Sequence, residues 1–119
     1  MANADVVPEE AIEQATEYRV RCAAHGRDPG VVAIRRDVHV GADHDDAERV
    51  AGPVVASGYR GFRPDACTYG SVEEVTEQLR FYAATGYTDV IVRHLSDDHT
   101  EVLASLERLG SVREALRDA

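Results

Sequence analysis

The sequence has 119 residues and 13.0 kDa, with 44% hydrophobic and 29% charged side chains. These are ordinary globular proportions that exclude a disordered chain, but a complete (β/α)8 barrel needs ~250 residues. With 13 basic and 22 acidic residues the net charge is -9. Every basic residue is an arginine and they are scattered, which argues against nucleic acid as a partner; without lysine there is neither Schiff-base chemistry nor a phosphate-loop lysine.

No apolar run approaches the ~20 residues of a membrane span, and Met1 is not followed by a basic and then apolar signal segment, so an untargeted cytoplasmic chain with no membrane association is expected. A first helix is predicted from Pro8 to His25, with Pro8 at a favoured first position, Glu9 and Glu10 at the positive end of the dipole and Gly26 after its end. Ile12, Ala15, Tyr18 and Cys22 recur at helical spacing as its buried stripe. Cys22 and Cys67 lack metal-ligand or CxxC spacing and read as reduced thiols. After a Gly26–Gly30 turn, Val31–Val40 reads as a strand, with Val32, Ile34, Val38 and Val40 on one face, interrupted by Arg36. Arg35, Asp37 and His39 share the other face.

Asp43 caps a second helix, whose apolar side is Ala47, Val50, Ala51, Val54 and Val55, and which Gly52-Pro53 should kink or shorten. Gly58–Gly70 reads as a Gly- and aromatic-containing loop. Ser71-Val72-Glu73-Glu74 is a capping box that opens a third helix with the stripe Val72, Val75, Leu79 and Tyr82, ended by Gly86. Thr88–His94 is a short strand whose Val90-Ile91-Val92 centre is expected to be buried on both faces. A last helix from near Asp98 carries Val102, Leu106, Leu109, Val112 and Leu116.

The expected fold is α/β, in the order α-β-α-α-β-α, with two parallel strands. Helices on one side of two strands leave two open edges and an uncovered apolar face, as in a partial (β/α)8 TIM-barrel section. Such a unit should either pair with another chain or be marginally stable alone.

Chemistry in a barrel sits at the C-terminal strand ends. Here these are His39 and Gly41 on one strand, and Arg93 and His94 on the other. On neighbouring strands, two imidazoles and a guanidinium would form an anion or flavin-edge contact. The plainer alternative pairs Arg93 with Asp89, Asp97 or Asp98 and makes both histidines structural. Asp43-His44-Asp45-Asp46 and Asp97-Asp98-His99 suggest metal ligands, but no second ligand set supports them and no metal is expected. Arg60 and Arg63 alternate with the aromatics Tyr59 and Phe62, where they could stack on a ring or belong to a packed connecting loop. Ser71 reads as a cap, with no triad partner in evidence.

The stretch GRDPGVVAIRRDVHVGADHDDAERV, followed by YGSVEEVTEQLRFYAATGYTDVIVRHLSDDHTEVLASLERLGSVREAL, resembles the C-terminal region of the bacterial luciferase-like flavin-dependent monooxygenases. The GRDP turn before a strand, the Gly70-Ser71-x-Glu73-Glu74-Val75 helix start, Gly86-x-Thr88-Asp89-x-Ile91-Val92-Arg93 and Leu103-x-x-Leu106-x-Arg108-Leu109 stand in the family's order, over about Ala4 to Leu116. The resemblance implies a TIM barrel that binds reduced FMN or, in some branches, the deazaflavin F420, and acts on a small organic substrate. The family's Gly-Gly-Ser phosphate turn lies upstream of this region and has no counterpart here. The resemblance therefore implies that a complementing barrel subunit or a homo-oligomer completes the site, to which His39, Arg93 and His94 would contribute. The rival expectation is a non-catalytic α/β module that dimerises through its uncovered sheet, shielding Val32, Ile34, Val90 and Val92, as an assembly or binding protein.

Overall fold

A computed structural model describes residues 1–117. Pro8 opens α1 (Pro8–Ala24), and the Glu10 carboxylate reaches back to accept from the Val7 amide at 3.1 Å. β1 (Ala33–Val40) leads into α2 (His44–Ala56), whose Asp43 cap accepts from the Asp46 amide at 2.8 Å. Two single-turn 3-10 helices, Tyr59–Gly61 and Pro64–Ala66, precede β2 (Cys67–Gly70). The capping box forms as its residues require: Ser71 Oγ accepts from the Glu74 amide, and Glu74 accepts from the Ser71 amide, opening α3 (Val72–Thr85). Gly86 closes α3 at φ 115°, a left-handed conformation that costs glycine least. β3 (Asp89–His94) and α4 (His99–Arg117) complete the chain, with Asp98 accepting from the Glu101 amide at the start of α4.

The chain is α/β, with four helices and a three-stranded, all-parallel sheet in the order β2-β1-β3. The expected two strands become three because Cys67–Gly70, read as loop, pairs with Asp37–Val40. The β1–β2 and β2–β3 connections run in opposite directions across the sheet, so right-handed crossovers put α2 and α3 on opposite faces. The packing agrees. On one face Ile34 and Val40 meet Ala11 and Ala15 of α1, Val75, Leu79 and Tyr82 of α3, and Val112 of α4. On the other, Cys67 and Leu95 meet Ala51 and Val55 of α2, flanked by Tyr59, Phe62 and Tyr69.

A second order is embedded in this one. Ala2 makes a parallel bridge to Ile34 on the β2 side of β1, donating to the Ala33 carbonyl at 2.9 Å and accepting from the Arg35 amide at 3.0 Å. Ala2, β1 and β3 therefore stand side by side in chain order, and α1, α3 and α4 all pack on one face.

Four expectations need correction. α1 buries Ala11, Ala15 and Cys22, whereas Ile12 and Tyr18 lie more than a third exposed, because the side of the helix turned to the core carries the small residues Ala11 and Ala15. Pro53 does not end α2, since the helix runs on to Ala56. β3 is an edge strand rather than a central one, which leaves Ile91 49% and Val92 39% exposed. Leu106 of α4 is likewise exposed, and Ser105 takes the buried position. No helix among the described residues is long and apolar enough to cross a membrane.

Candidate functional site

The β1–β3 register sets Asp37 beside Arg93 and Val38 beside His94. Side chains alternate along a strand, so Arg93 shares a face with Asp37 and His39, while His94 points to the opposite one. The structure therefore does not gather His39, Arg93 and His94 on one face.

Arg93 is not paired with Asp89, Asp97 or Asp98. It donates from Nε at 3.2 Å and from Nη2 at 3.0 Å to Asp37 Oδ2, a carboxylate only 1% exposed. Tyr59 Oη donates to the same oxygen. This link raises the Arg93 pKa further, and burial followed by Asp37 raises that of the Tyr59 phenol. Cys67 adjoins Asp37 in register, and burial first and that carboxylate second push its thiol up, away from the reactive thiolate.

His94 Nε2 lies 3.0 Å from Ser105 Oγ on α4, and that oxygen also accepts from the Val40 amide at 2.8 Å. The hydroxyl, with one hydrogen and two lone pairs, can donate to His94 Nε2 or accept from it, according to the tautomer of the ring. Ser105 thus supplies the acceptor that a longer β3 would have given to Val40. Arg108 Nη1 donates to the Val40 carbonyl at 3.2 Å, so α4 closes the end of β1 twice.

His39 is wholly buried, and neither ring nitrogen has a hydrogen-bond partner among the described residues. Burial lowers its pKa; Glu101 and Asp46 oppose that shift and His94 and Arg108 add to it. Above it, charges lock α2 to α4: Arg49 bridges Asp46 at 2.8 Å and Glu101 at 2.9 Å, and the Ala42 amide donates to Asp46 at 2.8 Å. The ends of β1 and β3 lie where their following helices leave to opposite faces, the usual ligand crevice of an open parallel sheet. In this chain, its own side chains fill that crevice.

The other motifs are also accounted for. His44 pairs with Glu74 at 3.0 Å, and Asp43 caps α2. Among the described residues no three His, Cys, Asp or Glu side chains converge to hold a metal ion. Phe62 packs edge-on to Tyr59 at 5.6 Å, Arg60 covers the Tyr59 ring and Arg63 pairs with Glu10. The Arg–aromatic stretch is therefore a packed connection.

An apolar concavity lies elsewhere. A groove of about 720 Å³ runs between β3 and the helices α3 and α4, walled by Val90, Val92, Leu106, Leu109 and Arg113. Sequence reasoning missed Tyr59, Ser105 and this groove. Ser105 alone left a signal: a hydroxyl on the stripe Val102, Leu109 and Val112, where an aliphatic residue would be expected. No protein-family model matches the chain, and no curated protein matches it.

Proposed function

We propose that the chain is the C-terminal segment of a luciferase-like flavin-dependent oxidoreductase or monooxygenase, acting on a small organic substrate once further strands complete its sheet. The observation that carries the reading is the winding of Ala2, β1 and β3: neighbours in chain order, with α1, α3 and α4 on one face. A partial (β/α)8 barrel requires that sequence of parallel neighbours. The β2–α2 unit, whose helix lies on the other face, reads as an insertion into it. The ordered motifs from the GRDP turn to the Leu103–Leu109 pattern support the same reading.

Reduced FMN, or F420, would supply the electron or hydride transfer in the completed enzyme. The residues of this chain alone do not fit such a group. Arg93 is held by Asp37, His94 faces Ser105, and His39 is sealed beneath α2 and α4. The cofactor cradle would therefore have to come chiefly from a complementing barrel subunit or from a second copy. The test is titration of the purified chain with FMN and with F420, following flavin fluorescence while the same sample runs on a sizing column. Saturable binding supports the enzyme reading. No binding, with a defined dimer on the column, leaves a barrel section with no flavin chemistry of its own and favours a non-catalytic α/β module acting in assembly, a reading that the unpaired β3 edge supports.

A further inference from the structure

β3 is paired with β1 on one side, and no strand among the described residues covers its other side. The Asp89 amide donates to the Val32 carbonyl and the Leu95 amide to the Val38 carbonyl. In a parallel ladder this directs Asp89, Ile91 and Arg93 at β1, and leaves Val90, Val92 and His94 presenting their N–H and C=O groups to the open edge.

The residues along that edge are self-complementary. Asp89-Val90-Ile91-Val92-Arg93 has an acid at one end, a base at the other and an aliphatic centre. We propose that the open edge of β3 pairs antiparallel with β3 of a second copy of this chain, about a two-fold axis through Ile91. That register sets Asp89 opposite the partner's Arg93, Val90 opposite the partner's Val92, and Ile91 opposite its own equivalent.

Three features fit this register. Val90 and Val92 carry the outward backbone groups and fall at the hydrogen-bonded pairs, whereas Ile91 and Asp89–Arg93 fall at the non-hydrogen-bonded pairs, where side chains approach most closely. Asp89 and Arg93 lie on the same face, with Asp89 exposed and the Arg93 side chain 38% exposed even while it holds Asp37. Both opposite-charge pairs form at once under a two-fold, whereas parallel pairing would set each charge beside its like. On the other face the seam falls beside the apolar groove, where Leu106 is 54% exposed and Gly110 has open space around it, so the two copies of α4 can approach there. The result is one six-stranded sheet, closed by symmetry, with its apolar edge covered. Val32 and Ile34, expected in such a seam, are already buried within the single chain and take no part.

This inference does not rest on the flavin reading and competes with it for the β3 edge, which the next strand of a completed barrel would otherwise take; sedimentation without flavin tests it by itself. Sedimentation velocity should show a dimer at micromolar concentration, and Ile91→Lys should weaken it roughly tenfold or more by setting two cations together at the axis. Ile91 is exposed in the single chain, so unchanged circular dichroism will show that the variant folds. Ile91→Cys should cross-link rapidly to itself under mild oxidation, since the native Cys22 and Cys67 are buried. Asp89→Cys, whose two copies would lie far apart in this register, should not. A monomer at 100-micromolar concentration (roughly the range of weak complexes), a dimer indifferent to Ile91→Lys, or equal cross-linking of the two cysteine variants would each overturn the proposal.

Discussion

Asp37 and Arg93 stand side by side in the β1–β3 register, 56 residues apart in sequence, and the guanidinium grips the carboxylate through Nε and Nη2. The carboxylate is buried and the guanidinium partly exposed, so the two partners are not equivalent. Arg93→Ala leaves a buried negative charge facing only Tyr59, while Asp37→Asn keeps an acceptor for Tyr59 and lets Arg93 turn to water. A fully buried pair broken this way costs about 3–5 kcal/mol. With the Arg93 side chain 38% exposed, the expected cost of Arg93→Ala is roughly 1–3 kcal/mol. Urea unfolding should give Arg93→Ala the lower midpoint; the reverse order would show that the guanidinium, not the carboxylate, is the strained partner.

Ser105 carries a second asymmetry. Its hydroxyl is the acceptor for the buried Val40 amide as well as the partner of His94. Ser105→Ala leaves that amide unsatisfied, at a cost of about 1–3 kcal/mol, and its loss should be local. Hydrogen exchange at Val40 should accelerate more than at Val38, whose amide lies inside the β1–β3 ladder. Equal acceleration at both positions would mean that α4 has come away from the sheet as a whole.

What could be read from the sequence divides by distance along the chain. The Asp43 cap, the Ser71–Glu74 box and Gly86 were legible because each acts within one turn of helix. β2 was not, because four residues, Cys67–Gly70, carry too little alternation to stand out from a loop, and only Asp37–Val40 gives them a partner. The stripe of α1 was misassigned because Ile12 and Tyr18 are the more hydrophobic residues, yet the helix turns Ala11 and Ala15 to the core. Val90-Ile91-Val92 looked central because composition does not distinguish a strand with two neighbours from one with a single neighbour. His39, Arg93 and His94 were correctly placed at strand ends, but the odd–even register that separates His94 from the other two emerges only from pairing.

Arg36 is wholly buried and has no carboxylate partner among the described residues. Its guanidinium is satisfied by the carbonyls of Asn3 at 3.0 Å, Ala4 at 3.3 Å and Arg35 at 2.6 Å, and by Tyr82 Oη at 3.1 Å. Two of these acceptors belong to the segment before α1, so the side chain ties that segment to the sheet across the Ala2 bridge. Arg36→Met fills similar volume without the donors. It should leave the β1–β3 ladder protected while the amides of Ala2 and Val6 exchange faster and the segment before Pro8 becomes open to limited proteolysis. Loss of protection across all of β1 would show instead that the buried charge holds the sheet itself.

The buried histidines make stability depend on pH in a definite direction. Burial depresses the pKa of both His39 and His94 below the ordinary value near 6.5. As the pH falls through that value, the unfolded chain takes up protons that the folded chain still refuses, so stability falls from about pH 7 toward pH 5 and levels off below the folded values. Asp46 and Glu101 soften the shift at His39, while His94 and Arg108 sharpen it. His44 acts in the opposite sense: its bond to Glu74 raises its pKa, so its contribution is present in acid and lost as the pH rises through the folded value. The lowered carboxylates Glu10, Asp46 and Glu74 add their own loss only below about pH 4.5, outside this window. His39→Leu removes two unsatisfied nitrogens and one titration together. It should leave stability near pH 7 unchanged or higher, and flatten its decline between pH 7 and 5, whereas His44→Gln should steepen that decline. Denaturant midpoints measured across this range decide the matter, and an unaltered slope in His39→Leu would mean that water or a proton reaches the imidazole in the folded chain.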